Sequence, residues 1–304
     1  MGVEEVLVKL QPIVGQDKTE KLWRDYVTAD PSLRSLIEAE LRLKLAKEVG
    51  ESFQSRQILL EPPPRELAFG EYSLGRVFYG ERPLYPFGLK EEEFIQHVGV
   101  FGRSGSGKTN IAFLILRELL RHGKPFLVFD WKRNYKDLLA LPEFRGKVKV
   151  YTLGRDASPF HWNPLIPPPR TDPAVWLKKL IEIMAHAYFL GEGVSFLLQE
   201  AIDGCYREAG VYSGEVISWP DVRDVNRALR LRKVKGRQGE WMESALRALG
   251  SMCFARMGKV VAQGISFPLE DVLKENVVLE LEFLTESDKT FLIEAMLLWI
   301  HHWR

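Results

Sequence analysis

The chain is poor in cysteine, has no long apolar run and carries almost no net charge. Its two cysteines in 304 residues, Cys205 and Cys253, fall in no C-x-x-C spacing, which excludes a zinc ribbon or a dithiol redox motif. Both sit in apolar, helix-patterned surroundings and read as buried thiols of a reducing compartment. No apolar stretch reaches the roughly 20 residues of a membrane-spanning helix, because Glu118 and Glu294 interrupt the strongest runs. The start, Met1-Gly2-Val3-Glu4-Glu5, is acidic and lacks the basic region of a signal peptide, and no Ser or Thr at the sixth position supports myristoylation. These absences lead us to expect a cytoplasmic protein without a membrane segment. A formal charge of +1 neither favours nor disfavours nucleic acid for the chain as a whole, so any attraction to phosphate must come from a local patch.

What is present is an ordinary globular composition, 46% apolar and 27% charged, in a chain long enough for one α/β domain and a smaller appendage. Residues 1–62 read as a helical N-terminal domain. Val3, Val6, Leu7 and Leu10 recur at helical spacing, and Leu22, Trp23, Tyr26 and Val27 mark a second helix. Asp30-Pro31 is a helix start, Leu33, Leu36, Ile37 and Leu41 predict one apolar face, and Gly50 is a stop. Pro62-Pro63-Pro64 is a stiff break. Residues 63–95 form a β-rich lead-in, with a hairpin or extended segment around Leu74 to Gly80.

The main domain, 96–304, begins with a buried-strand run from His97 to Phe101. A glycine loop follows, then a helix bearing Ile111, Leu114, Ile115 and Leu119. Strands at Phe126–Phe129, closed by Asp130, and at Val148–Tyr151 complete a parallel β-α-β pattern. Helices predicted between about 172 and 255 make an insertion, opened by Asp172-Pro173. A strand at 277–283 and a helix at 292–299 return to the sheet.

The loop is Gly102-Arg103-Ser104-Gly105-Ser106-Gly107-Lys108-Thr109, with the spacing G-x-x-x-x-G-K-T. Glycines let successive backbone N–H groups turn inward as an anion nest, and the following helix adds its positive end. Arg103, Ser104 and Ser106 are permissive loop positions. Lys108 is the catalytic candidate, a point charge for the β and γ phosphates, and the Thr109 hydroxyl is the Mg²⁺ ligand. The competing reading, a glycine-rich structural turn, does not require a strand before the loop and a helix after it. Without an N-K-x-D guanine signature, ATP is the expected nucleotide.

The segment from Pro86 to Thr109, PFGLKEEEFIQHVGVFGRSGSGKT, resembles the HerA–FtsK superfamily of P-loop motors, HerA-like ATPases most closely. Phe126 to Tyr135, FLVFDWKRNY, is similar to the family's second strand, with Asp130 and Tyr135 at matching positions and Asn134 where glutamate is common. Trp162-Asn163-Pro164-Leu165 looks like the family's Asn-Pro-Leu turn. The likeness implies an α/β RecA-like P-loop NTPase domain with a parallel sheet core and helical insertion, preceded here by a small helical domain where many relatives carry a β-barrel. It further implies an ATP-driven DNA translocase or helicase that moves double-stranded DNA in a homo-oligomeric, hexameric ring, with a nuclease or other effector as partner. The alternatives are a non-hydrolysing nucleotide-binding scaffold and a transport ATPase of type IV secretion. The chain stops at Arg304, before the strand that bears the family's Walker B Asp-Glu pair. The expectation is therefore an N-terminal part of a longer ATPase, or a shortened relative, with poor hydrolysis of its own.

Among other acids, the family's strand order implies that Asp130 lies three strands from the loop, and Glu280 and Glu282 are expected on one face of an edge or interface strand. The aromatics Trp131, Tyr135, Trp162 and Trp176 read as packing, with Trp131 or Tyr135 near a base as the alternative. The basic run Arg223, Arg227, Arg230, Arg232, Lys233, Lys235 and Arg237 offers two readings. As a pore-facing element, Arg230, Arg232, Lys233, Lys235 and Arg237 contact the DNA backbone; otherwise the run is a solvated face or subunit contact.

Overall fold

The computed structural model describes residues 1–50, 59–233 and 235–304, and of Arg237 only the backbone. Residues 51–58 of the expected helical domain, and Val234 within the basic run, lie outside the described residues. The chain divides into two units, Met1–Glu118 and Leu119–Arg304.

In the first unit, α1 (Val3–Val14), α2 (Gln16–Thr28) and α3 (Pro31–Val49) form the small helical domain. Asp30 caps α3 by accepting from the N–H groups of Ser32 and Leu33 at 2.9 and 3.0 Å, with Pro31 supplying the preset φ of the first turn. Val3, Val6, Leu7 and Leu10 of α1 bury their stripe against Leu41, Leu45 and Val49 of α3. The apolar face expected for α3 is therefore only half right: Leu33 and Leu36 are exposed, because burial belongs to the C-terminal half that meets α1. After the short α4 (Arg65–Ala68), the hairpin expected near residue 74 forms from β1 (Tyr72–Tyr79) and β2 (Arg82–Leu89), antiparallel. Tyr79 closes the small core and donates its hydroxyl to the Lys9 carbonyl at 2.7 Å. Glu118 of α5 (Lys108–Arg121), 2% exposed, accepts from the Ser73 N–H at 3.2 Å.

The expected buried strand at His97–Phe101 is not formed. No described strand pairs with this run, and Phe101 is 93% exposed. A strand exists only through its ladder to a neighbour, so apolar composition alone leaves the run unpaired, and the β-α-β unit that depended on it is absent.

The second unit is α/β. Its parallel sheet has the order β3 (Phe126–Asp130), β5 (Asn276–Glu280), β4 (Lys149–Thr152). The central strand β5 comes last in sequence and reads Asn-Val-Val-Leu-Glu, with Val277, Val278 and Leu279 fully buried, as a strand covered on both faces requires. Between β4 and β5 lies the helical insertion: α6 (Pro173–Tyr188), α7 (Glu192–Glu208), α8 (Val222–Leu231), α9 (Arg237–Cys253), α10 (Ala255–Val261) and α11 (Leu269–Val272). The chain ends with α12 (Glu286–Trp303). The Asn-Pro-Leu turn ties the insertion to the core. Asn163 donates to the Pro220 carbonyl at 2.9 Å and accepts from the Leu165 N–H at 3.0 Å, while Trp176, fully buried, donates Nε1–H to the Pro164 carbonyl. Trp162 and Trp176 are thus packing residues. Among the described residues no helix is long and apolar enough to cross a membrane.

Candidate nucleotide-phosphate site

Residues 103–107 form a tight turn, and α5 begins at Lys108. Gly105 and Gly107 have φ of +78° and +90°, a conformation that costs an L-residue about 1–2 kcal/mol. A Cβ on Gly102 would lie 2.4 Å from Ser106 Oγ, so a side chain there would make the Ser106 hydroxyl turn away. The Ser106 N–H donates to the Arg103 carbonyl at 3.2 Å. Residues 102–106 face solvent, and Gly107, Lys108 and Thr109 are half-buried.

Lys108 folds back over the turn, its ammonium donating to the carbonyls of Gly102 at 2.9 Å and Arg103 at 2.7 Å. The first turn of α5, a 14-residue helix, contains no acidic residue, so the turn does not itself neutralise the helix's positive end. Free N–H groups, a helix terminus and a hinged cation are what a polyphosphate needs. The residues therefore fit a nucleotide. For a metal ion the motif offers hydroxyls and no carboxylate, with Thr109 at the start of α5 as the expected ligand. No group of three His, Cys, Asp or Glu among the described residues is arranged for a metal, so an ion here would share the phosphates of its nucleotide.

The acids singled out in the sequence come together in the second unit. Asp130 and Glu280 end β3 and β5 in direct register and are almost fully buried. Asp130 accepts from the backbone N–H groups of Lys132 at 3.3 Å and Tyr135 at 2.8 Å. Glu280 accepts from the Thr152 hydroxyl at 2.6 Å and Arg133 Nε at 3.3 Å. The expectation for Glu280 and Glu282 is corrected: β5 is central in the described sheet, and it ends at Glu280, leaving Glu282 outside the strand and half exposed, 3.9 Å from Arg133. Arg133 carried no sequence signal, since only the fold shows that it answers a buried carboxylate. Trp131 is covered by the Lys289 ammonium, 4.8 Å from its ring. Burial, with Asp130 nearby, pushes the Tyr135 phenol up.

The basic run separates into two kinds of residue. Arg223 and Arg227 pair with Asp221 and Asp224, the two acids of the α8 capping box. Arg232 pairs with Glu200 at 2.9 Å. Arg230, Lys233 and Lys235 are exposed, and the Arg237 side chain lies outside the described residues. Of the two thiols expected to be buried, Cys205 is, and burial pushes it up to about 11, whereas Cys253 is half-buried.

Residues 72–184 match the family model described as the central domain of the helicase HerA. A solved structure, VirB4 of Thermoanaerobacter pseudethanolicus, is similar with a TM-score of 0.54 and 16% identity, covering 77% of this chain and 64% of that one. At that identity the likeness speaks for the fold, and the chain spans less than two thirds of that relative's length. No curated protein matches.

Proposed function

We propose that this chain, which through residues 72–184 carries a HerA-type ATPase domain of the HerA–FtsK P-loop superfamily, binds ATP with Mg²⁺ at residues 102–109 and couples its hydrolysis to movement of double-stranded DNA. The observation that carries the reading is the glycine turn running into a helix whose first turn holds no acidic residue, with Lys108 hinged over it. On phosphate binding, Lys108 exchanges two neutral carbonyl partners for charged phosphate oxygens, which adds attraction between full charges. The backbone N–H groups of the turn and of the first turn of α5 orient the phosphates, and Thr109 would hold the ion that spreads their charge. Assembly as a homo-oligomeric ring, a cytoplasmic setting, a nuclease or other effector as partner and the boundaries near 62 and 95 belong to the same proposal.

A second reading, a transport ATPase of type IV secretion, is supported about equally by the likeness to VirB4. The test is ATP turnover by the chain with and without duplex DNA, with Lys108→Ala as control. Turnover that is lost in the variant and rises with DNA supports the translocase. Turnover indifferent to DNA supports the transport reading, and equal turnover by both proteins removes the site assignment.

A further inference from the structure

At the carboxyl ends of the parallel strands, four segments bring three guanidinium groups onto one aromatic ring. The loops after β3, β4 and β5 supply Arg133, Arg155 and Phe283, and the start of α10 supplies Arg256. The guanidinium carbons lie 5.6, 4.8 and 4.4 Å from the Phe283 centroid for Arg133, Arg155 and Arg256. Open α/β sheets gather ligands at this edge.

The charges are unevenly answered. Arg133 is taken by Glu280 and Glu282, and the neighbouring Lys259 by Asp156 at 2.8 Å. Among the described residues no carboxylate pairs with Arg155 or Arg256, and both are exposed. Like charges crowded on one ring repel, and an anion between them removes that repulsion. A guanidinium lying on a ring keeps its N–H edge free for two parallel bonds to an oxyanion.

The backbone is bent to make this arrangement. Arg133 and Ala255, with φ of 60° and 46°, are two of the four non-glycine residues in the left-handed region among the described residues. Gly154, φ +78°, sits where a Cβ would meet Arg256 Cβ at 2.5 Å, so glycine lets the Arg155 segment close on Arg256. Conformations of this kind collect at ligand sites.

We propose that Arg155 and Arg256, stacked on Phe283, form a second anion site that takes phosphate oxygens, from either a free polyphosphate or a nucleic-acid backbone. The proposal does not depend on the phosphate loop, and its test uses Lys108→Ala as parent so that the loop contributes nothing. Calorimetry with inorganic pyrophosphate and anisotropy with a labelled duplex oligonucleotide read the two sources. Adding Arg155→Gln and Arg256→Gln is expected to weaken one probe by about tenfold or more. Arg155→Lys with Arg256→Lys restores only part, because the planar fork is lost. A loss confined to pyrophosphate identifies a free polyphosphate. A loss for the oligonucleotide, with a log-salt slope flatter by about two units, identifies the phosphodiester. Should the double variant fail to fold, Arg155→Gln alone serves, since this side chain is exposed. A parent that binds neither probe, or folded variants that bind as the parent does, overturns the site and leaves the arginines as a cover for Phe283.

Discussion

Asp130 and Glu280 stand opposite each other as the last residues of adjacent parallel strands, both buried, yet they are satisfied by different means. Asp130 is held by backbone N–H groups, Glu280 by the side chains of Thr152 and Arg133. The backbone solution is local to one loop. The side-chain solution joins β4, β5 and the loop after β3, so Glu280 is the residue that ties the strand ends together.

It follows that Glu280→Ala leaves the Thr152 hydroxyl and a partly shielded guanidinium without their acceptor. The expected loss is about 2–3 kcal/mol, below that of a fully buried pair because Arg133 retains some contact with water. Glu280→Gln keeps an acceptor for Thr152 and is expected to lose about half as much. Urea unfolding of the three proteins measures both, and equal stability of wild type and Glu280→Ala contradicts the tying role.

Lys108→Ala is expected to abolish ATP binding while leaving the melting temperature within about a degree. The ammonium donates to two carbonyls of an exposed turn, and surface changes of this kind are nearly neutral. Gly107→Ala acts by a separate route: its Cβ would meet nothing within 4 Å, but φ of +90° is strained for alanine. Nucleotide affinity should fall, and the strain should lower the melting temperature by a few degrees. Calorimetry and a thermal scan on each variant check this, and full affinity in a folded Lys108→Ala protein refutes the site.

The parts legible in the sequence are those whose physics is local. Glycines at fixed offsets before a helix, Asp30-Pro31 and Asp172-Pro173 as cap and first turn, and the Val-Val-Leu run of β5 each announce their own conformation. What could not be read depends on partners distant in sequence. His97–Phe101 has strand composition but no described neighbour, Leu33 and Leu36 have the right period but nothing to cover them, and Arg133 meets Glu280 across 147 positions. The arginines around Phe283 were invisible for the same reason, since their grouping is made by four separate segments.

The thiol of Cys205 gives a pH signature. Burial, with Glu208 and Asp224 adding to it, raises the folded value to about 11, above the roughly 8.5 of an unfolded chain. The folded state therefore holds this proton longer. Its contribution to stability is complete below about pH 8.5 and is lost as pH rises through about 11. Cys205→Ala should show a shallower fall in melting temperature over that window, whatever its stability at neutral pH. Parallel curves for the two proteins exclude the effect.

The basic run yields a prediction sharper than total charge allows. Arg232 already has a carboxylate partner in Glu200, whereas Lys233 and Lys235 are exposed with no ion pair among the described residues. A phosphate contact releases counterions only where the cation is not already neutralised. If this segment tracks DNA, Lys233→Ala and Lys235→Ala should each flatten the log-affinity against log-salt slope by about one unit, equally on unrelated sequences. Arg232→Ala should change the slope less than either lysine, because its ion pair with Glu200 already neutralises it. The measurement is a salt titration of duplex binding for the three single variants. Unchanged slopes for both lysines mean a solvated face, and loss of assembly without loss of slope means a contact between subunits.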